Sequence, residues 1–312
     1  MPTDSRYRNR VSADLYAVLK RDLVSRAKPH EDKMNERSLL LFVLLGATSL
    51  CLTACPPGDD DDAANDDDAT SDDDDATEEP LNIYGVFDEG FGSGVAVTEL
   101  GWLTWSEFGT SRYDLTQLDV DPGSGSLIAQ NSSENEYNPG LWSRFDFFGS
   151  AQSGYFCQSS FDAASEEDAV AATPADPENL KEGCGGFGWS TITPSSDRIA
   201  IAGIHLDSYG GDNKVTDKAW TVGTGDSAAT FEITQYDNAS GFAIAENGAE
   251  NEYNPGLWSR FDYVEYEGDW WVCTTAYAAA SEQEAAETPA SDATDPSSGG
   301  CGGTFAWTNL TP

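Results

Sequence analysis

After residue 80 the chain is built from short stretches of β-branched and aromatic residues, each closed off by Gly, Asn, Asp or Pro. This pattern puts one side of an extended segment in a core and the other in water, and predicts antiparallel strands joined by turns. Strands are expected at 82–87, 95–105, 113–119, 126–130, 141–148 and 154–159, with equivalents later in the chain that include 230–236 and 270–275. Two places break the pattern. Ser165-Glu166-Glu167-Asp168 and Ser281-Glu282-Gln283-Glu284 each place an acid three residues after a serine, ahead of alanines, and so predict a capped helix of a turn or two that ends before Pro174 and Pro289.

These elements come twice. Residues 134–146 read ENEYNPGLWSRFD, and residues 250–262 repeat the same string. The match continues outward: Ile83, Gly85, Trp102 and Thr116-Gln117 recur as Ile201, Gly203, Trp220 and Thr234-Gln235. Downstream, Trp189 and Thr193-Pro194 recur as Trp307 and Thr311-Pro312. A duplication predicts domains at 81–194 and 199–312, with so short a join that the two pack side by side. The expected fold class is all-β: two tandem small antiparallel β-sandwich or barrel domains, each with one short helix and one disulfide, after a disordered N-terminal tether.

The cysteines follow the same logic. Cys157 recurs as Cys273 and Cys184 as Cys301. Because each pair was copied with its unit, the simplest pairing is Cys157 with Cys184 and Cys273 with Cys301, which implies an oxidising compartment. A zinc site is disfavoured by the absence of CxxC and by only two histidines in the chain.

Ahead of the repeats the character of the chain changes. Residues 59–79 hold thirteen acids and no base. Such a run repels itself and buries nothing, so 55–80 is expected to be an extended spacer, and it lacks the glycine turn and ligand spacing of a calcium loop. Before it, Arg37 precedes the apolar run SLLLFVLLGATSL, which is followed by Leu52-Thr53-Ala54-Cys55. The run is shorter than the roughly 20 residues that span a bilayer. It resembles the lipobox of bacterial lipoproteins. That resemblance implies a signal peptide at 34–54, cleavage before Cys55, a lipid on its thiol and a bilayer as partner. Pro56, standing where aspartate would imply inner-membrane retention, implies the outer membrane or cell surface. Met34 would begin a signal of ordinary length, leaving 1–33 as a mis-start or extension.

The net charge of −39 excludes the basic footprint that nucleic-acid binding needs. No GxSxG, HExxH or phosphate-loop motif occurs, and the glycines from Gly90 to Gly94 read as a hairpin. His205 aligns with Phe87 and is expected to be a packing residue. Within 141–147, alternation puts Trp142, Arg144 and Asp146 on one face, so Arg144 is expected to stack on Trp142 and pair with Asp146, and Arg260 to do the same with Trp258 and Asp262. The sharper alternative is a calcium or ligand cluster of Glu134, Glu136 and Asp146, copied as Glu250, Glu252 and Asp262; no other cofactor is expected. Trp105, Trp270 and Trp271 lack tryptophan counterparts and are candidate stacking platforms for sugar. Together these features predict a lipid-anchored, non-catalytic module for glycan or an envelope protein. A carboxylate-dependent hydrolase is the alternative.

Overall fold

A computed structural model describes residues 79–312. The segments expected at 1–33 and 34–54, Cys55 and the tether up to residue 78 lie outside the described residues. The first unit comprises β1 (Gly85–Glu89), β2 (Gly94–Thr98), β3 (Gly101–Ser106), β4 (Gly109–Asp121), β5 (Ser124–Asn131), β6 (Trp142–Ser150), β7 (Ser153–Ala163), α1 (Glu166–Val170) and β8 (Ser190–Pro194). The second repeats it as β9 (Gly203–Asp207), β10 (Asp212–Val215), β11 (Ala219–Val222), β12 (Ala229–Asp237), β13 (Phe242–Asn247), β14 (Trp258–Tyr266), β15 (Asp269–Ala279), α2 (Glu282–Glu287) and β16 (Thr308–Thr311). Each set of eight strands pairs with its sequence neighbours and closes on itself, through β8 on β1 and β16 on β9. Both units are therefore closed up-and-down barrels rather than sandwiches.

Two details differ from the sequence expectation. The segment 95–105 is two strands, β2 and β3, folded back at Glu99-Leu100, where the Thr98 hydroxyl accepts from the Leu100 N–H at 3.3 Å. Its unbroken apolar character, which suggested one strand, comes instead from burial on both faces: inward residues such as Val95, Val97 and Trp102 fill the first barrel, while Ala96, Leu103 and Trp105 pack outward. The closing strands β8 and β16 were not expected, being only four or five residues long.

Each barrel is filled around a tryptophan stacked on a phenylalanine. Trp102 lies 4.8 Å from Phe145, with Tyr113 edge-on to Phe145 at 5.0 Å. Trp220 lies 4.8 Å from Phe261, and Phe231 takes the place of Tyr113 at 5.1 Å. The second interior is more polar. Asn213 accepts from the Trp220 indole at 3.0 Å, and His205 is only 2 % exposed. The His205 Nε2–H donates to the Ile201 carbonyl at 3.1 Å, while Nδ1 has no partner. Burial is the main cause that pulls its pKa down to about 4 from 6.5.

The barrels pack side by side, as the short join predicted. Ala96, Leu103 and Trp105 from the first enter one apolar cluster with Ile199, Ile204 and other residues of the second. The Thr98 hydroxyl donates to the Ile204 carbonyl at 2.9 Å. Gly94 pairs with Trp105, and a Cβ there would fall 2.2 Å from the indole, so only glycine lets the ring lie where it does. The Trp105 indole N–H donates to Asp217 at 2.5 Å, and Arg198, in the join, stacks over Trp105 with its guanidinium 5.4 Å from the ring centroid. Arg198 also bridges Asp88 at 2.6 Å and Asp217 at 2.7 Å, one from each barrel. Arg112 pairs across the junction with Asp212 at 2.6 Å, and Glu134 meets Lys214 at 3.4 Å.

Trp105→Ala empties the junction of its largest side chain and should cost about 3 kcal/mol in denaturant unfolding; a loss below about 1 kcal/mol would show the junction to be incidental. His205 stays neutral when folded and protonates when unfolded, so its contribution to stability is present above pH 6.5 and is lost as the pH falls toward 4. At full extent the loss is about 3 kcal/mol. His205→Phe, copying Phe87, should flatten stability between those pH values, as read by melting temperature across a pH series.

Candidate functional site

The duplicated thirteen-residue string connects β5 to β6 and β13 to β14. Most of it builds the barrel rim. Asn135 donates through its amide to the Arg112 carbonyl at 2.8 Å and accepts from the Arg112 N–H at 2.9 Å, so one side chain continues the strand ladder past the end of β5. Asn251 does the same with Thr230. The Asn131 amide donates to the carbonyls of Asn138 and Phe161, fastening the loop to the end of β7, while its oxygen accepts from the Ser143 hydroxyl at 2.6 Å. Asn247, Asn254, Tyr277 and Ser259 repeat the arrangement. Asn138 and Asn254 adopt φ near 50°, tolerable for asparagine, and Gly140 and Gly256 follow at φ 73° and 71°.

Arg144 and Asp146 fasten the helix to the outside of the barrel. The guanidinium lies 2.9 Å from Asp146 and donates to the Val170 carbonyl at the end of α1. Asp146 also accepts from the Ser159 hydroxyl at 2.6 Å and the Ala175 N–H at 3.0 Å. In the second unit Arg260 pairs with Asp262 at 2.7 Å and donates to the Ala286 carbonyl, and Asp262 accepts from the Ser291 N–H. The expected ion pair is present in both copies. The expected stack is different: Arg260 sits over Phe242, 4.7 Å from its centroid, rather than over Trp258. Strand β14 presents Arg260 to its neighbour β13, where the Arg260–Ile244 pairing places Phe242 within reach. The serine caps form as predicted, with Ser165 accepting from Asp168 N–H and Ser281 from Glu284 N–H.

The six carboxylates expected to form a calcium or ligand site are not gathered. Asp146 and Asp262 are buried among the donors above. Glu134, Glu136, Glu250 and Glu252 are exposed on the loops. Glu134 accepts from the Gly225 N–H at 3.1 Å; that bond, with Lys214 nearby, holds it below the usual carboxylate range. Among the described residues, no group of three or more His, Cys, Asp or Glu is placed to hold a metal ion. A groove of about 540 Å³, lined by residues that include Pro80, Pro122, Gly123 and Tyr155, contains none of the six carboxylates.

The tryptophans expected to offer stacking platforms do not. Trp105 is buried in the junction, and Trp270 and Trp271 are half-buried on β15, with Trp270 edge-on to Tyr263. The exposed rings are phenylalanines and tyrosines. Because every strand pairs with the next, connections alternate between two ends of each barrel. The turns at Glu99-Leu100, Pro122-Gly123 and Ala151-Gln152 occupy one end, and the longer loops occupy the other. At the long-loop end of the first barrel stand Phe91, Tyr137, Phe161 and Phe187; at that of the second stand Tyr209, Tyr253, Tyr277 and Phe305. These eight are the same four positions in each copy, and their exposures run from 51 % to 89 %. Among the described residues, the exposed aromatics outside this set are Phe108, also at the long-loop end, and Tyr84.

Local chemistry fixes where these rings stand. Phe91 and Tyr209 precede Gly92 and Gly210, whose positive φ turns the hairpin. Phe187 and Phe305 sit on glycine-rich turns closed by two backbone hydrogen bonds each, to Cys184 and Cys301. The disulfides Cys157–Cys184 and Cys273–Cys301 tie those turns to β7 and β15. The repeat makes this set legible in the sequence, since all four positions keep an aromatic ring in both copies, whereas a search for unmatched tryptophans passes over it.

Removing Arg260 would leave Asp262 buried and unpaired, so Arg260→Ala should destabilise by about 3 kcal/mol. Equilibrium unfolding with the disulfides intact measures this, and a loss under about 1 kcal/mol would contradict the clamp. No family model, curated protein or solved structure matches the chain.

Proposed function

We propose that this chain is an exported lipoprotein, acylated on Cys55 and held at the outer membrane or cell surface, that presents two equivalent barrel ends as a non-catalytic binding module. The observation that carries the binding part is the set of four exposed rings kept at the same positions of both copies. Exposed aromatic surface costs solubility unless it meets a partner, and a duplicated position that kept only packing would have its ring buried, as Trp102 and Trp220 do. The export part is supported by the apolar run before Cys55 and by the acidic spacer after it. Two disulfides fit an oxidising compartment. Among the described residues, the six carboxylates offered for a hydrolase have other places: Asp146 and Asp262 hold the helix loops, and the loop glutamates are exposed.

Expressed in a Gram-negative cell, the protein should incorporate labelled palmitate and fractionate with membranes. Cys55→Ser should abolish the label; label persisting in that variant, or absent from the wild type, overturns the anchor. For binding, the purified protein should co-sediment with isolated envelopes of the producing cells, and alanine at the four ring positions of both barrels should release it. Sedimentation unaffected by loss of the rings would refute the binding surface.

A further inference from the structure

We infer that the two long-loop ends are equivalent sites for an uncharged, repeating polysaccharide, bound by ring stacking and held at both barrels at once. The inference rests on the proposed binding role and names its ligand class. The first support is what the repeat keeps. Phe91 and Tyr209, and likewise Phe161 and Tyr277, differ by a hydroxyl but share a ring. A hydrogen-bonding role would have kept the hydroxyl, whereas a stacking role needs only the face. The negative face of an aromatic ring attracts polarised C–H groups, which a pyranose presents on its flat sides. Sugar hydroxyls need acceptors beside those rings, and Glu136 next to Tyr137 recurs as Glu252 next to Tyr253, both exposed. Neither glutamate belongs to the backbone clamps that account for Asn135, Asn138, Arg144 and Asp146.

Charge narrows the class further. Of the seven cations after residue 79, Arg112, Arg144, Arg198, Lys214 and Arg260 are engaged in ion pairs. Lys181 and Lys218 remain, set in a strongly acidic surface, so phosphorylated or uronic polymers would be repelled. The ring contacts are also set before binding. The Asn131 and Asn247 amides lock the tyrosine loops to the strand ends that carry Phe161 and Tyr277, and the disulfides anchor Phe187 and Phe305. A polymer that meets such a site therefore loses little further freedom on the protein side. Two copies of one site on barrels joined by a packed junction suit a ligand that is itself a repeat, because the second contact becomes intramolecular.

Native gels cast with dextran, a β-1,3-glucan, mannan or xylan test this with the purified full-length protein in mild detergent. At least one polymer should retard the wild type. The variant Y253A/Y277A, which spoils the second barrel alone, should weaken retardation more than tenfold, and adding Y137A/F161A should abolish it. Melting temperatures check the fold of each variant, and one that melts early is replaced by leucine at the same positions, which keeps apolar contact but removes the ring face. Retardation by none of the four polymers, or retardation that survives the quadruple variant, overturns the inference. Envelope binding that requires the rings, disappears after protease treatment of the envelopes and is matched by no retardation would identify a protein partner. That outcome would leave the proposed binding role standing while removing the polysaccharide.

Discussion

Every other element of this protein depends on closing each sheet with a very short strand. An open eight-stranded sheet of this size would leave two rows of unpaired N–H and C=O groups, and a tandem copy beside it would offer a matching edge for wrong pairing. Strands β8 and β16 remove both edges by joining β7 to β1 and β15 to β9. Neither has the length to hold itself there. The chain arrives at each through a long loop tied back by a disulfide and begins from an indole, Trp189 or Trp307, that donates to the carbonyl of Asp176 or Asp292. In the chain-entropy view, a crosslink of this span contributes roughly 3 to 4 kcal/mol, which matters for a domain with so small a core.

Closure also explains the division of labour between shared and unshared residues. Positions identical in the two copies build each barrel: the Trp–Phe stack, the asparagine clamps at the rim and the Arg–Asp fastening of the helix. The junction is built mainly by positions that differ, to which the shared Thr98 and Glu134 add hydrogen bonds. Trp105 aligns with Gly223, Asp212 with Gly94 and Lys214 with Ala96, and each does its work only at the contact between barrels. A chain this poor in cations places three of them, Arg112, Arg198 and Lys214, across that contact. The result is a pair of barrels whose long-loop ends remain available.

Much of this was legible without a structure. The duplication and the β pattern led to two tandem domains, and copied cysteines led to their pairing. The serine caps were found because a capping box is a local, sequence-adjacent device. What stayed hidden was non-local. Asn135 has its hydrogen-bond partner, Arg112, on another strand, so nothing near it in the chain points to its role. The stretch from Val95 to Trp105 looked like one strand because its outward residues are covered by a second barrel, which no single-domain pattern anticipates.

The sequence by itself determined the repeat, the fold class, the disulfide partners and the ion pair of Arg144 with Asp146, because each is encoded by spacing within one unit or by copying between two. Only the tertiary structure decided that the sheets close, that Trp105 is buried while Phe91, Tyr209, Tyr253 and Tyr277 are exposed, and that the carboxylates of 134–146 separate into buried clamps and exposed loop residues. Those outcomes depend on which face of a strand another part of the chain covers. Strand alternation says that two faces differ, but the partner that covers one of them is set by long-range packing.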